Sequence, residues 1–100
     1  MSWATAYIAR LLAGETVSFR PRGTSMVPLI KSGELCTVEP LAERPLKKGD
    51  IVLCKVRRAQ FLHLVSALKP GQVQISNNHG HVNGWTSLAN VYGILTGVAA

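Results

Sequence analysis

Between residues 3 and 13 apolar side chains recur at helical spacing, Tyr7 with Leu11 and Ile8 with Leu12, in a stretch rich in Ala, Leu, Ile and Arg. Spacing and composition predict a short helix whose apolar stripe holds those four residues, and Gly14 supplies a stop. From Thr16 the period changes. Thr16-Val17-Ser18-Phe19-Arg20 alternates polar and apolar, as a half-buried strand does, and Pro21 ends it. Val27–Ile30 is a brief apolar piece closed by Lys31-Ser32-Gly33. Leu35–Glu39 then predicts a strand, and residues 40–48, with two prolines and four charges, a surface loop.

The second half repeats the strand pattern. Lys48-Gly49-Asp50 turns into the β-branched run Ile51–Val56, and Arg57-Arg58-Ala59-Gln60 predicts a basic hairpin tip before Phe61–Leu68. Lys69-Pro70-Gly71-Gln72 is a strong turn signal, followed by a short strand over 73–76. Residues 77–88, rich in Asn, Gly and His, predict a loop, and Val91–Val98 a closing strand in which Gly93 and Gly97 suggest bulges or bends. One helix and about six or seven short strands make a mainly β fold of strongly curved sheets or a partial barrel. The N-terminal helical segment takes residues 1–15 and the β domain residues 16–100.

Composition narrows the classes. A chain of 100 residues, 47% hydrophobic and 16% charged, suits one globular domain. Eleven Lys and Arg against five Asp and Glu give a net charge of +6, which favours anionic partners without dictating the fold. The basic residues, Arg20, Arg22, Lys47, Lys48, Arg57 and Arg58 among them, fall mostly in predicted turns and are not interleaved with aromatic ones. A nucleic-acid-binding β-barrel is therefore the least favoured function. Cys36 and Cys54 sit in apolar runs and are expected to be reduced core residues. No stretch has the length of a bilayer span or the layout of a secretory signal, so a soluble cytoplasmic protein is expected.

Chemistry concentrates at three places. Ser25 stands in Gly23-Thr24-Ser25-Met26, where glycine permits a tight turn with outward amides; a serine there can be a nucleophile, although turn serines more often bond only their own backbone. His63 lies within a predicted strand on a face shared with Phe61 and Val65. Burial would keep its ring neutral, as a general base requires. His79 and His81 stand among Asn77, Asn78 and Asn83 with no cysteine or carboxylate close in sequence, so no metal site is expected, and no cofactor.

The ordered series GTSMVPLI, SGELCTVEP, PLKKGDIVLCKV, FLHLVSAL, ISNN and NVYGILTGV resembles the serine peptidase superfamily of signal peptidases and LexA-type repressor self-cleavage domains, from about Val17 to Val98. The resemblance implies Ser25 as nucleophile with its amide helping to hold an oxyanion, Met26 beside the substrate pocket, and Gly49 and Asp50 as a structural turn. It implies His63 as general base, in the Ser/His variant. Val17, Phe19, Gly23 and Thr24 would border an extended peptide added along strand 16–20, with a small side chain in an apolar pocket. Ser76-Asn77-Asn78 stands where the family has Gly-Asp-Asn, so Asn77 replaces a carboxylate and Asn78 matches, and Asn83 stands where a later Asp would orient the histidine. Neither the membrane helix of signal peptidases nor the DNA-binding domain of the repressors is expected. Ala13-Gly14 resembles the bond LexA-type proteins cut, but its closeness to Ser25 in the chain makes cleavage in cis an unexpected use. The expected function is a soluble serine endopeptidase acting on peptide or protein. The alternative is a weak or inactive relative that binds peptides without cutting them.

Overall fold

The structure, a computed structural model, describes residues 3–100. It is mainly β. Helix α1 (Thr5–Leu12) precedes seven strands: β1 (Val17–Phe19), β2 (Leu35–Pro40), β3 (Ile51–Val56), β4 (Ala59–Lys69), β5 (Gln72–Ser76), β6 (Val82–Ser87) and β7 (Val91–Ala99). All pairings are antiparallel, in one sheet of order β1-β2-β7-β3-β4-β5-β6.

Gly14 ends the helix as its sequence suggests. It has φ +87°, its N–H donates to Leu11 O at 3.0 Å, and the Glu15 N–H reaches back to Arg10 O at 2.9 Å. That double closure satisfies carbonyls the last turn would otherwise leave open. The buried stripe differs from the predicted one. Ala4, Ile8 and Leu11 are buried with Tyr7 packed against them, whereas Leu12 is 71% exposed. Positions four, then three, residues apart stay on one face; Leu12, one residue beyond Leu11, turns away from it.

The sheet buries a core on each face. Under the helix lie Val17, Phe19, Met26, Ile30, Cys36, Val38, Leu53 and Leu62, and on the other side Val52, Cys54, Val56, Val65, Val73, Ile75 and Val91. Cys36 and Cys54 belong to different cores, and β7 lies between their strands. Both are free thiols. Burial pushes the Cys54 thiol up to about 12.

Two predicted boundaries change. The hairpin tip is only Arg57-Arg58, because Ala59 already pairs with Val56 and Gln60 with Lys55. Residues 82–87, predicted as loop, form β6 against β5. Their Asn and Gly weaken the strand signal, yet tertiary pairing overrides it. The pairing slips there: Ile75 opposes Gly84 and Ser76 opposes Val82, which leaves Asn83 as the extra, bulged residue. Further irregularities leave Ser66, Tyr92 and Thr96 between paired positions. The two on β7 fall next to Gly93 and Gly97, where the glycines predicted them.

No described helix is long and apolar enough to cross a membrane.

Candidate active site

Ser25 lies in the irregular segment between β1 and β2. Gly23 has φ +114°, a conformation strained for any other residue, and its N–H donates to Ser32 Oγ at 3.1 Å. The chain turns there and leaves Ser25 exposed. The β5–β6 connection holds the turn from behind. Asn78 N–H donates to Ser25 O at 2.8 Å, Asn78 Nδ2 to Val27 O at 3.1 Å, and the His79 Nε2–H to Thr24 O at 2.8 Å. Asn77 braces that connection from within, its Oδ1 accepting from the N–H groups of His79 and His81 at 2.8 and 2.9 Å. His79 thus clamps backbone, with one ring nitrogen occupied by a carbonyl.

His63 projects from β4 and is buried, stacked on Phe61 with ring centroids 4.9 Å apart. Its strand is pinned beside it. Gly49 N–H donates to Val65 O at 2.9 Å, and Val65 N–H to Asp50 O at 2.8 Å. The Asp50 carboxylate accepts from Lys47 N–H at 2.9 Å and closes that turn, so Gly49 and Asp50 hold β4 and make no hydrogen bond to Ser25.

The two side chains meet. Ser25 Oγ and His63 Nε2 are 3.1 Å apart, and His63 Nδ1 lies 2.7 Å from Asn83 Oδ1. An amide oxygen only accepts, so Nδ1 carries the proton and the Nε2 lone pair faces the serine hydroxyl. The bulge explains the reach of Asn83: an unpaired residue on a bulged strand can re-aim its side chain. Burial holds the His63 pKa below its usual value, the Asn83 bond opposes that shift in part, and His81 adds to it. The ring is therefore neutral at pH 7. A hydroxyl bonded to a neutral imidazole in this tautomer can lose its proton to Nε2 as it attacks a carbonyl. Among the described residues the Ser25 N–H has no hydrogen-bond acceptor, so it is free to donate to an incoming oxygen.

A cleft of about 670 Å³ opens beside the pair, within the range of ligand-sized sites. Of the residues singled out from sequence, Phe19, Gly23, Ser25, Met26 and His63 line it. Val17 does not: it is 1% exposed and packs in the core under the helix. Its side chain points inward because alternation on β1 buries Val17 and Phe19 and exposes Ser18. Thr24 belongs to the serine turn but does not line the cleft, its carbonyl being held by His79, and Asn77 and Asn78 lie behind that turn. Ala13-Gly14 lies at the helix end, outside this cleft.

Trp3, Tyr7 and Gln60 were not foreseen. Trp3 packs edge-on against Phe19 at 5.5 Å and Tyr7 stacks on Phe19 at 4.5 Å, which makes an aromatic wall. Gln60 is buried, its Oε1 accepting Ala4 N–H at 2.8 Å and its Nε2 donating to Thr5 Oγ1 at 3.1 Å. It caps the start of α1 from β4, a contact between residues 56 positions apart in the chain that no local pattern announces.

Two strand edges border the cleft. β1 pairs with β2 alone, and β4 pairs with β3 through residues 59–64 but with β5 only from Leu64 onward. Residues 59–63 of β4 therefore have a partner on one side only. Gln60 O accepts from the Trp3 indole Nε1–H at 3.3 Å, which shows that its open side faces the cleft. Strand alternation puts the Leu62 N–H and C=O on that same side.

No protein-family model, curated protein or solved structure matches the chain.

Proposed function

We propose that this protein is a serine endopeptidase of the signal-peptidase and LexA-like type, with Ser25 as nucleophile and His63 as general base. The observation that carries the proposal is the 3.1 Å approach of Ser25 Oγ to His63 Nε2 with the opposite ring nitrogen held by Asn83. Residues 38 positions apart are brought together in the one tautomer that leaves a base facing the hydroxyl. A substrate segment would enter extended between the free edge of β1 and the unpaired stretch of β4, with Leu62 giving it backbone hydrogen bonds. Ser25 Oγ would attack the scissile carbonyl while its proton moves to Nε2. The Ser25 N–H would stabilise the developing oxyanion, and the imidazolium would return the proton to the leaving amine. Water would then hydrolyse the acyl-enzyme by the same base.

The test is cleavage of a peptide mixture read by mass spectrometry. The wild-type protein is expected to generate new termini, and neither Ser25→Ala nor His63→Ala to do so. Cuts that persist in Ser25→Ala would defeat the assignment.

Asn83 favours a second reading, a peptide-binding relative that keeps the groove without turnover. An amide orients the ring but cannot stabilise the imidazolium as a carboxylate does. Binding of an extended peptide with no cleavage product and no covalent modification of Ser25 would favour it.

A further inference from the structure

We propose that the cleft beside Ser25 selects an extended peptide carrying a bulky apolar side chain flanked by carboxylates. The inference rests on taking the cleft as a peptide groove and goes on to name what the groove prefers. Its lining carries three cations, Arg20, Arg22 and Lys31, and no Asp or Glu. None of the three makes an ion pair with a described residue. The Arg20 guanidinium donates through Nη1 to Gly33 O at 2.9 Å, which fixes it at the rim. Glu34 lies near this turn and its Oε1 accepts from the Lys31 backbone N–H at 2.6 Å, while the Lys31 ammonium makes no ion pair with a described residue. Cations without ion-pair partners that line a cleft attract carboxylates and repel basic peptides.

The cleft is also lined by an aromatic cluster. Trp3 is 48% exposed at the mouth, over Tyr7 and Phe19, and Met26, Ile30 and Leu62 floor the space. A small side chain, which the family resemblance implies, would leave the exposed Trp3 ring and half-buried Tyr7 in water; a Phe or Leu side chain would reach and cover them. Cations beside aromatics also suit single-stranded nucleic acid. The open strand edge at Leu62 decides for a peptide, because its N–H and C=O have no strand partner on that side and suit another extended backbone.

The test uses the Ser25→Ala protein and fluorescent decapeptides with one Phe-Leu centre and flanks of Glu, Gln or Lys, read by anisotropy. At about 20 mM salt the Glu peptide is expected to bind at least fivefold tighter than the Lys peptide, roughly what two or three exposed charge pairs give. The gap should narrow at about 300 mM salt. The double variant Arg22→Glu/Lys31→Glu should reverse the order at an unchanged melting temperature, and Trp3→Ala should weaken all three peptides. Equal affinities, a preference for Lys flanks, absence of binding, or displacement of the Glu peptide by an equimolar oligothymidine would overturn the inference. Fluorophosphonate labelling of the wild-type serine, run in parallel, separates the two claims. Labelling without a charge preference removes this inference alone, and a charge preference without labelling removes the catalytic reading alone.

Discussion

At the scale of single residues the chemistry turns on Asn83. Its amide oxygen selects the Nδ1–H tautomer of His63, but it carries no charge, and a flipped amide would donate to the ring and select the other tautomer. A carboxylate would do neither. Asn83→Asp is therefore expected to raise the His63 pKa, which burial now depresses, and to raise turnover by roughly tenfold or more through stabilisation of the imidazolium. NMR titration of the ring with peptide-cleavage rates checks both, and an unchanged rate beside a raised pKa would separate orientation from charge. His63 also affects stability. Its folded pKa lies below the unfolded value of about 6.5, so between the two the unfolded chain binds more protons. Stability contributed by the neutral ring is present above about pH 6.5 and falls as pH drops toward the folded pKa.

Among the elements, β7 lies close against β2 and the helix at Gly93. A Cβ on Gly93 would lie 2.6 Å from Val38 Cγ1, 2.9 Å from Glu39 O and 2.9 Å from Leu11 Cδ1. Gly93→Ala must push α1 off the sheet or bend β7, an overpacking cost of about 1–3 kcal/mol. At Gly97 the nearest atom would be 3.8 Å away, and Gly97→Ala is expected within about 0.5 kcal/mol of wild type. Thermal melts of the pair test the packing, and equal losses would contradict it. Element-level reading of the sequence succeeded where one period dominates. The β-branched run 51–56 and the alternating 16–20 give β3 and β1, although β1 is shorter than its pattern. It failed at β6, where Asn83 and Gly84 carry no strand propensity and the strand exists because β5 pairs with it. Asn83 could be named as an orienting residue from the resemblance, but the bulge that aims it belongs to a register no single strand encodes. Ser25 and His63 were legible as residue types in their local settings. Their pairing came from the resemblance alone, since no local pattern joins them, and the aromatic wall was not legible because it depends on where α1 docks.

For the molecule as a whole, two cores on opposite faces of one sheet keep the thiols apart. Cys36 lies under the helix and Cys54 on the far side, both fully buried. Burial raises both thiol pKa values, with Glu34 adding to the rise at Cys36. Neither thiol should react with a thiol reagent until the protein unfolds, and the melting temperature should be the same with and without reductant. Rapid modification of either cysteine in native buffer would contradict this separation of the cores.

The proposed function requires an exposed hydroxyl on one loop to be activated by a buried neutral imidazole on β4. Its most direct measurement is the rate of fluorophosphonate labelling against pH, with the modified residue mapped by mass spectrometry. Modification is expected at Ser25, with an acid limb whose midpoint lies below about 6.5 because burial lowers the His63 pKa, and with the rate lost by a factor on the order of 10²–10⁴ in His63→Ala. Modification elsewhere, or a Ser25 rate that neither titrates in that range nor depends on His63, would contradict it.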